Sequence, residues 1–458
     1  MSTVHPPFAD LTIGQRGRRV LWQPFSQPTD QIDTDGLHVL VRGDGMRLFD
    51  TAGRSYIDGM GALEAMAIGH GRTRLADVAA DQMKKLAFLD VFRYASEPGI
   101  ELAEKLLAIA PDGFSKVAFA PGGSDANEIA LKLIWQYHYL NGQTDRRKII
   151  CRQGAYHGTT LGTMLMDGDY YATRNDIYAP RLGLGVVATG PAADPGWSLA
   201  ARHSAGFSEF EAAIIAEGPE TVAAVVVDAI GTASAVSCPP LDELKRLRAL
   251  CDKHGILLLV DEVITGFGRS GHMFASDYYR EAGDLMTMSK ALTSGYLPLA
   301  ACLVSEKIVE AFASHASDNI LAHGHTYGGH PVGCAVALEN IRIIEEEELP
   351  ARAASMGEIL RGRLQDLQRH DLFVDARGVG LLTGVEFFPE GSSGGAHGTP
   401  AQACAWLRRK LRDLGLITLT VHPGTVFLLA PPLIIDEPTI EEIVAIFDAG
   451  LTQLNELD

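Results

Sequence analysis

Apolar residues recur along the chain with two periods, and their alternation predicts the architecture. Near the N-terminus, "VRGDGMRLFDTAGRSYIDGM" sets Met46, Leu48 and Phe49 before the turn "TAGR" and Tyr56 and Ile57 after it. This predicts two short strands joined by a glycine-containing turn. Between residues 75 and 140, "IELAEKLLAIA" and "ANEIALKLIWQYHYL" carry the spacing of amphipathic helices and surround the apolar run "KVAFA", a strand that feeds a helix. "KIICR", "TVAAVVVDA", "GILLLVDEV", "DLMTMS" and "AACLVS" follow, interleaved with helical stretches such as "LDELKRLRALCDKHG". Runs that are apolar on both faces suit strands covered on both sides, so the pattern predicts an α/β fold around a mostly parallel sheet. In such sheets ligands collect beyond the carboxyl ends of the strands, and polar residues there become site candidates.

The last third predicts one long helix over "GCAVALENIRIIEEEELPARAASMGEILRGRLQDLQ", then strand-like "DARGVGLLTGVEFF" and a terminal α/β segment ending "IEEIVAIFDAGLTQLNEL". "PEGSSGGAHGTPAQ", rich in Gly and Ser, predicts a flexible surface loop. No internal repeat is found. At 458 residues the chain exceeds the size at which one hydrophobic core stops growing, which favours one large and one smaller domain.

Composition removes several function classes. Lys and Arg number 39 against 57 Asp and Glu, a net charge of −18 that repels nucleic acid and anionic membranes. A small anion can still be held locally by backbone N–H groups at a helix start. Six cysteines (Cys151, Cys238, Cys251, Cys302, Cys334, Cys404) lack the paired spacings of a zinc or redox site and are expected to be free thiols. The N-terminal "MSTVHPPFADLTIGQRGRR" has no apolar signal core, and no uncharged apolar run reaches about 18 residues. A cytoplasmic, soluble protein is expected.

Five features carry candidate chemistry. "FAPGGSDANEIALKL" sets Gly122, Gly123 and Ser124 between a strand and a helix, a geometry that can cradle a phosphate but serves structure as readily. "LLLVDEVITGFGRSG" ends an apolar strand on Asp261, where a carboxylate needs a positive partner, whether a ligand or an ordinary ion pair. "DLMTMSKALTSGYLPLAA" ends an apolar run on Lys290, either a covalently used amine or a snorkelling side chain. "GAYHGTT" and "HGHTYGGHP" add Tyr156 as a flat ring and Thr326 as a hydroxyl. The histidines there lack completing ligands, so no metal is expected.

Taken in order, these motifs resemble the class III aminotransferases, the group that includes ω-amino-acid, amine, ornithine and diaminopelargonate aminotransferases. The most specific pieces are "LLLVDEVITGFGRSG", "MSKALTSGYLPLAA" and "HTYGGHP", supported by "GGSDANEIALK", "YHGTT", "DARGVGLLTGVEF" and "LAPPLII", so the likeness covers nearly the whole chain. The resemblance implies a pyridoxal 5'-phosphate (PLP)-dependent transferase of fold type I, with a mostly parallel seven-stranded sheet in a large domain and a small α+β domain from both chain ends. The expected division is an N-terminal segment 1–70, a large domain 71–335 and a C-terminal domain 336–458. It implies a homodimer with shared active sites, and an amino group moved from an amine donor to an oxo-acid acceptor.

Carried over by position, Lys290 matches the Schiff-base lysine and Asp261 the partner of the pyridine nitrogen. Gly123 and Ser124 match the phosphate loop, Tyr156 the stacked ring, and Val263 the apolar group on the other ring face. Thr326 matches a phosphate ligand given by the neighbouring subunit. Racemases, aminomutases and decarboxylases share this machinery, and a non-catalytic descendant of the fold is a further alternative.

Three positions depart from the pattern. Val421, beside His422, stands where many relatives carry an Arg for the substrate carboxylate, so the bidentate clamp is expected to be missing. Glu64 stands where amine-accepting relatives often have an aromatic wall, and would either meet a cationic or hydroxylated substrate or point to solvent. Asp228 and Ala229 replace a frequent Glu-Pro, and the shorter acid reaches less far toward the cofactor's phenolic edge. Phe88 and Phe92 can form an apolar wall or pack in a core. Together these features favour a donor without a simple α-carboxylate.

Overall fold

The apolar runs form strands, and period-two alternation decides which helix layer each side chain meets. In chain order the strands are β1 (Leu40–Asp44), β2 (Arg47–Asp50), β3 (Ser55–Asp58), β4 (Phe114–Ala120), β5 (Lys148–Arg152), β6 (Val186–Thr189), β7 (Val222–Val227) and β8 (Leu257–Asp261). β9 (Leu285–Met288), β10 (Ala300–Ser305), β11 (Phe373–Val379), β12 (Leu382–Phe387), β13 (Leu416–Ile417), β14 (Leu419–Val421) and β15 (Val426–Leu429) follow. The computed structural model describes residues 11–26, 37–164, 166–167, 186–189, 207–314, 319–421 and 424–456.

Seven strands make the central sheet in the order β4-β10-β9-β8-β7-β5-β6. β5 to β9 pair in parallel, and β10 alone runs against its neighbours β4 and β9. The carboxyl ends of β4, β5, β7, β8 and β9 therefore point to one edge. All residues of β7, β8 and β9 are buried. On one face Ile149, Ala224, Leu257 and Leu259 pack with Ala126, Ile129, Ala130 and Ile134 of the helix Gly123–Leu140. On the other, Ile150, Val225 and Leu258 meet Leu244, Leu247 and Cys251 of the helix Glu243–His254. The two-sided covering is why these runs are continuously apolar.

Two four-stranded sheets flank this unit. One, β1-β2-β3-β13, pairs β3 with β13 in parallel, Leu416 opposite Ile57, so strands far apart in the chain share one sheet. The other is antiparallel, β11-β12-β15-β14. Among the described residues no helix is long and apolar enough to cross a membrane, and Cys238, Cys251, Cys302, Cys334 and Cys404 are free thiols.

Three expectations are corrected. The N-terminal hairpin has a third strand, β1, paired with β2 through exposed and half-buried residues that carry no apolar alternation. The long helix is two, Pro331–Glu346 and Leu349–Leu364, broken where Glu348 takes a left-handed φ of 50°. Pro350 in the first turn of the second helix has no N–H to donate backward, which is tolerated at a helix start and not inside one. The Gly/Ser-rich stretch contains a 3-10 turn at Gly395–His397 and ends earlier, because Thr399 and Gln402 form a capping box for the helix Pro400–Asp413.

The helix Leu349–Leu364 lies so close to the turn between β11 and β12 that a Cβ at Gly357 would overlap the Gly380 carbonyl. Backbone on both sides leaves little room to yield. Gly357→Ala is expected to lower unfolding stability by about 1–3 kcal/mol, seen as a lower urea midpoint with an unchanged slope.

Candidate active site

β8 delivers Asp261 to the common strand edge, with β7 ending just before Asp228 on one side and β9 just before Ser289 and Lys290 on the other. β4 ends before Gly122, and the helix that begins at Gly123 has no side-chain cap over its first-turn N–H groups. Of the residues singled out in the sequence, Gly123, Ser124, Tyr156, Asp228, Asp261, Val263 and Lys290 line one cavity of about 130 Å³. Gly158 lines it as well; it has φ 137°, and a Cβ there would stand 2.5 Å from Ser124 Oγ. Glycine thus lets this loop approach the helix start, where Thr159 N donates to Ser124 Oγ at 3.1 Å.

Asp261 is 5% exposed, and its carboxylate is held by three elements. Val263 N donates to Oδ1 at 3.0 Å, while Asn127 Nδ2 and His157 Nδ1 reach Oδ2 at 2.9 and 2.8 Å. Asn127 is fixed in turn: its Nδ2 also donates to the His157 carbonyl at 2.8 Å, and its Oδ1 accepts from Thr287 Oγ1 at 2.8 Å. Burial alone would push the His157 imidazole toward neutrality, but the Asp261 hydrogen bond and the charges of Asp261, Asp228 and Asp167 outweigh it and raise its pKa. Burial also raises the Asp228 carboxyl, whose Oδ1 is sealed from solvent without a hydrogen bond among the described residues. Asp167 Oδ1 accepts from His157 N at 2.6 Å, and burial pushes its pKa from 3.8 to about 7.

Lys290 occupies a left-handed conformation, φ 43°, and its Nζ donates to Glu64 Oε2 at 2.6 Å. Glu64 is 3% exposed, which removes the solvent-facing reading. Arg269 lies near Glu64 and Asp58, fully buried, and burial lowers its pKa to about 10.

Other singled-out residues lie elsewhere. Thr326 is exposed and outside the cavity lining. Phe88 rests against the rings of Tyr327 and His330, centroids 5.6 and 5.4 Å away, and Phe92 is 65% exposed; neither lines the cavity. Val421, expected at the substrate, is instead buried in β14 and packs with Met60, Val426 and Leu428, because strand alternation turns it into the core. His422 lies outside the described residues. Sequence reasoning missed Asn127, His157, Asp167 and Thr287. Asn127 and His157 stood inside quoted motifs, but their joint hold on Asp261 spans 134 and 104 residues.

Fold and site define the class: an α/β protein that gathers an acid, a lysine and a glycine-rich helix start at one edge of a parallel sheet. The chain matches the family model "Aminotransferase class-III" over residues 31–451. It is 33% identical over 444 residues to the putrescine–pyruvate aminotransferase of Pseudomonas aeruginosa, covering 94% of this chain and 96% of that protein. It is 32% identical to a probable gamma-aminobutyrate transaminase 2, mitochondrial, of Oryza sativa subsp. indica, covering 98% and 91%. Among solved structures, an ω-transaminase from Pseudomonas jessenii in complex with PMP superposes with a TM-score of 0.88 at 33% identity, covering 97% of this chain and 98% of that one. The chain belongs to the class III aminotransferases, PLP-dependent enzymes, and it is an enzyme of amino-group transfer.

Asp167 gives the site a pH signature. Below about pH 4 both folded and unfolded chains hold its proton; between about 4 and 7 the folded chain keeps it while the unfolded chain releases it, so stability falls as pH rises. Asp167→Asn removes this loss. The variant is expected to gain roughly 2–4 kcal/mol relative to the parent between pH 4 and 8, measured by urea unfolding across that range.

Proposed function

We propose that the cavity seats PLP through Lys290 and that the enzyme moves an amino group from an amine or ω-amino donor to an oxo acid such as pyruvate or 2-oxoglutarate. The observation that carries the reading is the meeting of Lys290 and Asp261 at one cavity beside an uncapped helix start. The residues fit that group: Asp261 is a buried carboxylate oriented by three donors, and Asp228 brings an oxygen with no partner among the described residues. When bound, PLP supplies a carbonyl that condenses with amines and a ring that takes up the electrons left on the donor carbon.

The chain's residues divide the remaining work. Asp261 would stabilise a positive charge on the ring nitrogen, and Asn127 and His157 keep its carboxylate oriented. Gly123 and Ser124 would hold the phosphate with backbone N–H groups and a helix dipole. Tyr156 and Val263, which line the cavity, would pack on the ring, and Asp228 would serve its phenolic oxygen. The Lys290 amine would accept the proton released from the donor and return it. Thr326, exposed and outside its own cavity, would serve the phosphate bound by a second subunit of a homodimer.

The donor is read as an amine without a simple α-carboxylate. Among the described residues lining the cavity there is no arginine, and Val421 is turned into the core. A relative is named for putrescine. Glu64 gives the site an acid at the lysine. A panel of terminal amines, ω-amino acids and α-amino acids against pyruvate and 2-oxoglutarate, with products identified, tests this. Terminal amines are expected to react with consumption of the oxo acid, and Lys290→Ala to lose the visible cofactor band and at least about a hundredfold in rate. Reaction with α-amino acids alone would sink the donor assignment.

A further inference from the structure

Glu64 is buried by an unusual turn. Ala62, Leu63 and Glu64 take left-handed φ values of 46°, 67° and 59° in succession, a conformation that side-chain-bearing residues rarely hold. The turn is pinned by Ala62 N donating to both oxygens of Asp58, at 3.1 and 2.9 Å, and by Glu64 N donating to Met60 O at 2.7 Å. Asp58 is itself held by His70 Nε2 at 2.8 Å. The result inverts ordinary packing: Leu63 is 61% exposed, and the neighbouring acid is 3% exposed. Hydrophobic burial would favour the opposite arrangement, so packing does not explain why Glu64 points inward.

What Glu64 meets inside is charge. Lys290 Nζ stands 2.6 Å from Oε2, and Arg269 lies nearby, its Nε and Nη2 without partners among the described residues. Arg269 Nη1 is tied to the carbonyls of Leu381 and Pro431, so the guanidinium cannot swing toward the cavity. Asp58 and His70 stand behind the turn, and His157, Asp228 and Asp261 belong to the cavity that Lys290 borders.

We propose that Glu64 is a positioning residue for the Lys290 amine, setting its carboxylate against that nitrogen at the cavity edge. The inference rests on the reading of Lys290 as the cofactor-bearing and proton-carrying residue. In that step Nζ would accept the proton released from the donor and later return it, the bonding pair being taken up by the electron-accepting chemistry that PLP would supply. Glu64 would be unchanged, its hydrogen bond keeping Nζ in place between the two transfers.

The test is a pH titration of the visible absorbance of the PLP-loaded enzyme, which reports protonation of the imine between Lys290 and the cofactor without turnover. A nearby opposite charge favours the protonated form, so Glu64→Gln is expected to move the midpoint down by about 1–2 pH units, with Glu64→Asp between it and the parent. A midpoint that stays at the parent value in Glu64→Gln overturns the inference. Loss of the band in Glu64→Gln with a native circular-dichroism spectrum also overturns it, because Glu64 would then serve cofactor seating. If Glu64→Gln does not fold, Glu64→Asp decides: a lowered midpoint supports the role and an unmoved one refutes it. Absence of any such band in the parent enzyme refutes the assignment of Lys290 instead.

Discussion

A carboxylate held out of water at the end of β8 organises the centre of this molecule. Taking an isolated charge into a protein interior costs several kcal/mol unless hydrogen bonds and opposite charge replace its hydration. Asp261 receives that replacement from Val263 N, Asn127 and His157, which come from the turn after β8, the first helix turns after β4 and the loop after β5. Asn127 spends both ends of its amide in the same arrangement, with Thr287 of β9 as its donor. Four segments are thereby locked to one group. A shift in any of them would leave a buried polar atom unpaired.

The parallel sheet makes that convergence possible. Because β4, β5, β7, β8 and β9 all end at one edge, the residues that follow them meet without long excursions of the chain. The reversed β10 carries no singled-out site residue. Around Asp261 the interior then collects further acids, Asp167 and Asp228, whose pKa values burial raises, and one imidazole whose pKa they help to raise. On the proposed reading Asp261 would meet a cationic ring nitrogen, and the Lys290–Glu64 pair would serve the moving proton.

Much of this was legible in the residues. Continuous apolar runs marked the strands of the central sheet because both faces are covered, and polar residues directly after those runs, Asp228, Asp261 and Lys290, were visible as misfits. The amphipathic helices were legible for the same reason. Where the pattern carried less information the reading slipped. β1 has no apolar face, and the break at Glu348 is a matter of one backbone angle. Val421 looked like a site residue by position, while strand alternation turned it into the core.

By itself the sequence determined the α/β architecture and the order of its polar strand ends, since both follow from local periodicity and from the cost of placing charge beside apolar runs. It also carried the likeness to the class III aminotransferases, the family to which the chain belongs. Only the tertiary structure decided which residues support those ends. Asn127 and Thr287 are 160 residues apart, and Glu64 and Lys290 are 226 apart. Neither pairing leaves a local trace, because a hydrogen bond between distant segments depends on where the sheet and a strained turn bring the chain, and not on the residues beside it.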